Sequence, residues 1–277
     1  MKSSVLLIQC RDRKGLIHEV TGILAGRGLN IEANGEFVDS ATQGFFMRTE
    51  YSGRTDGHAL VSALKGILPP DARVEIVEPR RKRVVVLVTR ESHCLGDLLV
   101  RREFGDLNAE ILAVVGNYPD LEAFTGKFSV PFHVVSHEGV SREAHEAKIL
   151  ETVSRYPFDY LVLAKYMRIL SPGFVARFSR RMINIHHSFL PAFKGAAPYQ
   201  QAYERGVKVI GATAHFVDDR LDGGPIIAQA TLPVDHTQDA QDMALAGRDV
   251  EKSVLARALK LVFEDRVFVS GNKTVIF

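Results

Sequence analysis

The sequence predicts an α/β protein with two domains, and three observations support this fold class. The first 79 of its 277 residues follow strand and helix patterns in the order βαββαβ, which is typical of a ferredoxin-like domain with an antiparallel sheet. From residue 84 onward, continuous apolar runs alternate with helical segments, which indicates a doubly wound, mostly parallel sheet. A basic run at 80–83 separates the two patterns. We therefore expect domains at 1–79 and 84–277, joined by a solvated linker.

Hydrophobic periodicity places each element of the first domain. Residues 4–9 form an apolar strand, and the apolar residues from Leu16 to Leu24 recur at helical spacing. Prolines at positions 69 and 70 end a second helix. The remaining expected elements are strands at 29–38, 45–51 and 73–77 and that second helix at 58–68.

Apolar runs place the strands of the second domain. A parallel strand that is buried on both faces is apolar throughout rather than alternating, and ligands bind at the carboxyl ends of such strands. The runs that fit this description lie at 84–88, 111–115, 132–135, 160–164 and 182–185. Further strands are expected at 207–216 and 226–232, and helices at 141–156 and 239–263.

Composition and charge exclude several classes of function. The net charge is +2, from 35 basic and 33 acidic side chains, which is too balanced for a nucleic-acid-binding protein. No stretch approaches the roughly 20 apolar residues that cross a bilayer, and the first residues lack the apolar part of a signal peptide, so we expect a cytoplasmic protein without membrane binding. Cys10 and Cys94 are expected to be free thiols. No histidine spacing predicts a metal.

The stretch 183–191, I-N-I-H-H-S-F-L-P, ends an apolar run with polar residues. Side chains alternate along a strand, so Asn184 and His186 should share one face. Asp222 lies in a downstream glycine-rich loop and could orient the imidazole, while the asparagine amide could stabilise an oxyanion. Together the three suit attack on a carbonyl carbon. Each residue type taken alone is more often structural, as a strand-end polar group, a helix cap or a turn former.

The stretch D-R-K-G-L-I-H-E-V-T-G-I-L-A-G-R-G-L-N-I, which begins at Asp12, resembles the ACT domain family. The resemblance implies side-by-side pairing of subunits and an amino-acid effector, with glycine or methionine as candidates. The effector would bind near Asp12, Gly15 and Leu16, where a helix N-terminus offers free N–H groups to a carboxylate. The alternative is a domain that serves assembly alone.

Four motifs in the second domain occur in a fixed order: N-I-H-H-S-F-L-P, K-G-A-A-P-Y-Q-Q-A, G-A-T-A-H-F-V and L-D-G-G-P-I-I-A-Q. They resemble the formyltransferase family of folate-dependent one-carbon enzymes, from about residue 84 to the end of the sequence. The resemblance implies catalytic roles for Asn184, His186 and Asp222. It also implies a folate-binding pocket formed by Met167, Arg168, Ile169, Leu170, Phe216, Val217 and Asp218.

The ACT-like domain in front of this fold implies a hydrolase of 10-formyltetrahydrofolate, which releases formate for purine biosynthesis and tetrahydrofolate. The loop at 89–96 supports hydrolysis, because it carries Glu91 and lacks the glycine cluster with which the family's nucleotide transferases hold a phosphate. The resemblance further implies no cofactor beyond the folate substrate and a homo-oligomer, with a tetramer expected from pairing through both domains.

Two alternatives stay open. The first is a formyltransferase with an amine acceptor, and the second is a catalytically silent sensor of folate or an amino acid. Two departures from the family pattern lie on the acceptor side. Relatives that hydrolyse the formyl group usually carry histidine at the position of Gln200, and some carry arginine at the position of Ala197.

Overall fold

The computed structural model describes residues 3–192 and 198–277, and the chain divides into two compact units. The first unit runs to Arg80 and also contains Asp265–Ser270 and Val275–Phe277. The second unit comprises Arg81–Glu264 and Gly271–Thr274. The sequence-based boundaries differ from this division at two places. Most of the C-terminal segment belongs with the first unit, and half of the expected linker lies in the first strand of the second unit, where Lys82 is buried.

The first unit has the predicted βαββαβ order. Its four-stranded antiparallel sheet has the strand order β2-β3-β1-β4, which confirms the ferredoxin-like fold. Its elements before the linker are β1 (Ser4–Arg11), α1 (Leu16–Gly26), β2 (Asn30–Asp39), β3 (Gly44–Ser52), α2 (Gly57–Ile67) and β4 (Arg73–Val77).

Helix α1 covers one face of this sheet. It begins directly after Gly15, whose φ of 91° is a left-handed conformation that glycine adopts without a steric penalty. Its residues Leu16, Val20 and Leu24 are buried at helical spacing, as the sequence predicts. Each such side chain contributes roughly 1.5–3 kcal/mol through the apolar surface that it removes from water.

The C-terminal segment adds aromatic side chains to the first unit. The ring of Phe268 packs edge-on against Phe46 at a centroid distance of 5.7 Å, and Phe277 packs against Phe268 at 5.5 Å. Arg48 donates a hydrogen bond of 3.0 Å to the carbonyl oxygen of Asp265. These contacts explain why the segment belongs to a unit from which it is distant in sequence.

The second unit contains a seven-stranded sheet with the order β11-β10-β9-β8-β5-β6-β7. The five strands from β9 to β7 are parallel, and β10 and β11 are antiparallel to their neighbours, which confirms the predicted mostly parallel sheet. The elements from residue 82 onward, of which β12 belongs to the first unit, are β5 (Lys82–Val88), α3 (His93–Phe104), β6 (Ala109–Gly116), α4 (Glu122–Gly126), β7 (Phe132–Val134), α5 (Arg142–Val153), β8 (Tyr160–Leu163), α6 (Pro172–Ala176), β9 (Met182–His186), α7 (Pro198–Arg205), β10 (Val209–Phe216), β11 (Ile226–Pro233), α8 (Ala240–Phe263), β12 (Val267–Ser270) and β13 (Lys273–Ile276).

Strand β5 lies at the point where the strand order reverses. The chain proceeds from β5 to β6 and β7 on one side, and then to β8 and β9 on the other. Loops diverge at the carboxyl ends of strands beside such a point and leave room for a ligand. Within the described part of the chain, no helix is long and apolar enough to cross a membrane.

Candidate active site

The structure brings together the three polar residues singled out by the sequence. Asn184 and His186 lie near the carboxyl end of β9, and Asp222 lies in the loop that follows β10. The Nδ1 atom of His186 is 3.4 Å from an Asp222 carboxylate oxygen. The Nε2 atom of His186 is buried and has no hydrogen-bond partner among the described residues. The carboxylate therefore holds one side of the ring, and the hydrogen-bonding capacity of the other nitrogen is left unsatisfied by the described residues.

The loop that carries Asp222 is held close to the end of β10. Asp222 has a φ of 51°, a left-handed conformation that aspartate and asparagine tolerate better than most residues. Two residues later, Gly224 packs so closely on the chain that an added Cβ would lie 1.9 Å from the carbonyl oxygen of Phe216. A glycine at this position is thus a condition for placing the carboxylate beside His186.

Replacing Gly224 with alanine is expected to lower turnover by at least about tenfold, because the added methyl group must displace the loop and a small displacement of a catalytic group is costly. The measurement is kcat of the purified variant. Gly126→Ala is the control, since a Cβ there meets nothing within 4 Å. Equal turnover in the two variants would contradict this role of the loop.

No pattern in the sequence indicates a role for His215, which the structure places beside Asn184. The Nδ1 atom of His215 donates to the carbonyl oxygen of Phe216 at 2.8 Å, so in the neutral ring Nε2 is an acceptor. That atom is 3.3 Å from Nδ2 of Asn184. The contact orients the Asn184 amide with its NH2 group toward His215. One N–H bonds to the imidazole, and the second N–H is left for another partner.

The protonation states at the site follow from burial and from neighbouring charges. Burial raises the pKa of Asp222, but the hydrogen bond and charge of His186 and the neighbouring His215 outweigh it, so this pKa lies below its usual value and the carboxylate is ionised. Burial lowers the pKa of His215, which keeps that ring neutral. Burial, with help from Lys165 and His186, lowers the pKa of His187 to about 4.

A cavity of about 400 Å³ opens beside the three polar residues. Asn184, His186 and Asp222 line it together with six of the seven residues expected to bind folate, namely Met167, Arg168, Ile169, Leu170, Val217 and Asp218. Phe216 does not line the cavity. It is the last residue of β10 and its side chain is buried. Its carbonyl group, which accepts the hydrogen bond from His215, is therefore the part of Phe216 that contributes to the site.

Cationic side chains surround the cavity. Arg142 at the start of α5 and the exposed Arg168 both line it. Arg220 also lines it and donates to the carboxylate of Asp218. A ligand with an apolar ring system and an anionic end would find both complementary surfaces here.

The residues expected to bind an effector line a separate hollow in the first unit. Asp12, Gly15 and Leu16 line it together with the exposed side chains of Ile17 and Phe37. The structure therefore brings these three residues together on a partly apolar surface of that unit.

Both cysteines are free and buried. Burial raises the pKa of the Cys10 thiol to about 11, and it also raises the pKa of the Cys94 thiol. Cys94 lies with His93 and Glu251 in a group of side chains spaced closely enough to hold a metal ion. The ammonium of Lys165 lies 3.2 Å from the same Glu251 carboxylate, so a cation already neutralises it.

Two residues, Gln200 and Ala197, differ from the family pattern on the acceptor side, and the structure describes only the first of them. Gln200 is an exposed residue of α7, where it donates a hydrogen bond of 2.8 Å to Glu204. Ala197 lies outside the described residues.

Comparison with protein families matches both units. The family described as Formyl transferase matches residues 82–259, and the family described as ACT domain matches residues 4–67. These matches agree with the resemblances found in the motifs of each domain.

Individual relatives match the whole chain. Formyltetrahydrofolate deformylases of Escherichia coli strain K12 and of Haemophilus influenzae are 54% and 53% identical to it, over 276 residues that cover 100% of this chain and 99% of each relative. The crystal structure of a formyltetrahydrofolate deformylase from Pseudomonas syringae pv. tomato superposes with a TM-score of 0.94 at 39% identity, covering 100% of this chain and 95% of that one.

Proposed function

Because the chain belongs to the formyltetrahydrofolate deformylase family, we propose that it hydrolyses 10-formyltetrahydrofolate to formate and tetrahydrofolate. The observation that carries this proposal is the convergence of Asn184, His186 and Asp222 on one cavity. A neutral amide donor, an oriented imidazole and an ionised carboxylate are the groups that acyl transfer to water requires when no enzyme nucleophile takes part. The formate released would enter purine biosynthesis, and the reaction would balance the one-carbon pool.

The first step is attack of water on the formyl carbon. Asp222 and His186 orient the water molecule, and the ionised carboxylate draws its proton as the new carbon–oxygen bond forms. The oxyanion of the tetrahedral intermediate accepts hydrogen bonds from the Asn184 amide and from protonated His186. His215 contributes by holding the amide in the orientation that makes this possible.

The second step is cleavage of the bond between the formyl carbon and N10. The proton taken from water passes through His186, directly or by a second water molecule, to the departing nitrogen. Formic acid then loses its own proton to give formate. The balanced products are tetrahydrofolate, formate and one proton, and no metal or redox cofactor takes part in either step.

The cavity suits each part of the folate substrate. Met167, Ile169 and Leu170 supply apolar walls for the flat pterin ring, and backbone groups of the loop after β10 can bond its polar edge. The negatively charged glutamate tail fits beside Arg142 and Arg168, because a guanidinium group pairs with a carboxylate through two hydrogen bonds.

Replacing Arg168 with glutamine is expected to raise KM for 10-formyltetrahydrofolate about tenfold with little change in kcat, which corresponds to about 1.4 kcal/mol of binding. Steady-state kinetics at low ionic strength provide the measurement. Arg177→Gln is the matched control, since Arg177 is also exposed in the second unit but does not line the cavity. A substrate without the glutamate tail should show the same KM with both variants, and a difference there would contradict this assignment.

Neither alternative function is favoured by the relatives, which are named deformylases over the full length of the chain. A transferase would release little formate without an amine acceptor. A silent sensor would bind folate without turnover.

The effector, the oligomeric state, the cellular location and the lack of a cofactor are also proposals. An amino-acid effector such as glycine or methionine would bind at the hollow formed by Asp12, Gly15 and Leu16. The exposed apolar side chains of Ile17 and Phe37 support pairing of two first units, and a tetramer would follow from pairing through both units. The expected cytoplasmic location and the lack of a cofactor stay predictions.

The test is direct. Purified protein mixed with 10-formyltetrahydrofolate, without any amine, should produce formate and tetrahydrofolate in equal amounts, as followed by tetrahydrofolate absorbance and a formate assay. Turnover that requires an added amine would overturn the proposal in favour of a transferase.

A further inference from the structure

The loop after β8 lines the cavity but makes few backbone contacts of its own. We call residues 166–170 the pocket loop, and all five of them line the cavity. The side chains of Met167 and Ile169 are more than half exposed, at 52% and 61%. Within the described part of the chain, the backbone N–H and carbonyl groups of the pocket loop form no hydrogen bond with other residues. The position of its backbone therefore depends on what holds the two ends of the loop.

The start of the pocket loop is tied to two neighbouring strands. The hydroxyl of Thr89, directly after β5, donates a hydrogen bond of 2.7 Å to the carbonyl oxygen of Lys165, and both residues are buried. The hydroxyl of Tyr166 lies 3.4 Å from the amide nitrogen of Asn117, which follows β6. The first residue of the loop is thus fixed against the parallel sheet.

The end of the pocket loop is held by Glu146 of α5. The backbone N–H of Ser171 donates to one carboxylate oxygen at 2.6 Å, and the Ser171 hydroxyl donates to the other oxygen. Ser171 lies between Leu170 and Pro172, which both line the cavity. Its hydroxyl oxygen also accepts a hydrogen bond of 3.2 Å from the N–H of Phe174 and so caps α6. One carboxylate therefore connects α5 with the pocket loop and with the start of α6.

The surroundings of Glu146 make this contact specific. The residue is only 6% exposed. Among the residues that the structure describes, Ser171 supplies the hydrogen-bond donors of this carboxylate, and no basic residue forms an ion pair with it. Burying a carboxylate is costly unless its oxygens are hydrogen-bonded, so the two residues hold each other in one arrangement. Arg142, one turn earlier on α5, lines the cavity, so the same helix supplies a lining cation and the anchor of the loop.

We propose that Glu146 is a positioning residue for folate binding, because it holds Ser171 and thereby sets the place of the pocket loop against the folate ring. The inference deepens the proposed function and rests on it. Glu146 does not line the cavity, so it acts through Ser171 rather than by touching the substrate. The catalytic groups lie on β9 and in the loop after β10, and neither Glu146 nor Ser171 bonds to them. The effect should therefore fall on binding rather than on cleavage.

The experiment separates binding from turnover. Steady-state kinetics with 10-formyltetrahydrofolate give KM and kcat, and calorimetry under anaerobic conditions gives Kd for the product, tetrahydrofolate. Glu146→Ala removes both acceptors of Ser171, whereas Ser171→Ala removes the hydroxyl and keeps the backbone N–H. Glu146→Gln keeps an acceptor oxygen at the same length and serves as the rescue variant. Glu151→Ala is the matched control, since Glu151 lies on the same helix with its side chain 70% exposed.

We expect Glu146→Ala to raise KM and Kd at least about tenfold, with kcat within about threefold of the wild type, as for a loss of uniform binding. Ser171→Ala should raise both constants at least about threefold, because one of the two hydrogen bonds to Glu146 remains. Glu146→Gln should stay within about threefold of the wild type, and Glu151→Ala should leave both constants unchanged.

Unchanged KM and Kd in Glu146→Ala would overturn the inference, and Ser171→Ala takes its place if Glu146→Ala does not fold by circular dichroism. An equal rise in Glu151→Ala would also overturn it, because that result would show a general loosening of α5. A purely structural role would lower the folded fraction, and with it the apparent kcat, without changing KM. The measurement of Kd needs no turnover, so it tests the inference even if wild-type protein releases no formate. That last result would overturn the proposed hydrolysis alone.

Discussion

Replacing Asp222 with asparagine is expected to lower kcat for formate release by at least about 10³-fold while the protein stays folded. The substitution keeps the size of the side chain and removes its charge, so His186 loses the carboxylate that orients it and water loses its proton acceptor. Positioned groups of this kind each contribute roughly 10²–10⁴-fold, and members of a cooperative set are not additive.

Asparagine is the informative replacement at this position because of the backbone. Asp222 has a φ of 51°, which asparagine adopts readily, whereas alanine would add strain to the loop. A loss of activity in Asp222→Asn therefore reports on charge rather than on loop geometry.

Single-turnover measurements on Asp222→Asn should show normal folate binding and slow cleavage. Asp106→Asn supplies the control, since Asp106 is an exposed aspartate of the same unit after α3. Turnover within a factor of about ten of the wild type would contradict the role of Asp222, because a catalytic base contributes at least roughly a hundredfold.

The second large effect concerns stability. Glu251→Ala is expected to destabilise the second unit by about 3 kcal/mol, because it leaves the buried Lys165 ammonium without its closest carboxylate. The value lies at the low end of the range for a broken buried pair, since Glu91 remains 3.6 Å from the ammonium. Urea-induced unfolding followed by circular dichroism provides the measurement.

An exposed pair provides the control for this stability effect. Glu151→Ala removes the partner of Arg155, and both side chains of that pair are more than half exposed, at 70% and 58%. Its cost should stay below about 1 kcal/mol. Similar losses in Glu151→Ala and Glu251→Ala would show that the buried pair contributes no more than a surface pair.

The stabilising effect of Glu251 should depend on pH in one direction. Burial alone would raise its pKa, but His93, Lys165 and Tyr199 lower it from 4.5 to about 2. A carboxyl whose pKa is lower in the folded state stabilises the protein fully above the unfolded value and loses this effect as the pH falls. The stability difference between wild type and Glu251→Ala should therefore shrink between about pH 4.5 and about pH 2.

Local patterns in the sequence were sufficient to predict β1–β11, but not β12 and β13, and also the face that Asn184 and His186 share. An apolar run specifies a buried strand wherever it pairs, and alternation along the strand follows from backbone geometry. Asp222 could also be found, because an aspartate before Gly-Gly-Pro marks a loop that a sheet can hold in place.

Contacts between distant segments could not be predicted in the same way. The pairing of His215 with Asn184 and of Lys165 with Glu251 depends on how strands and helices pack, and neither pair has a characteristic spacing along the chain. Phe216 was expected among the folate-binding residues, and the packing at the end of β10 buries its side chain away from the residues that line the cavity. The tertiary environment decided these three cases.

The return of residues 265–270 and 275–277 to the first unit has a consequence for biosynthesis. A ribosome makes the chain from its N-terminus, so the segment that completes the first unit emerges only after residues 81–264 of the second unit have been translated. Until then the face of Phe46 that Phe268 covers is open to chaperones and to other nascent chains. The first unit, although its synthesis begins first, is therefore complete only when the whole chain has been made.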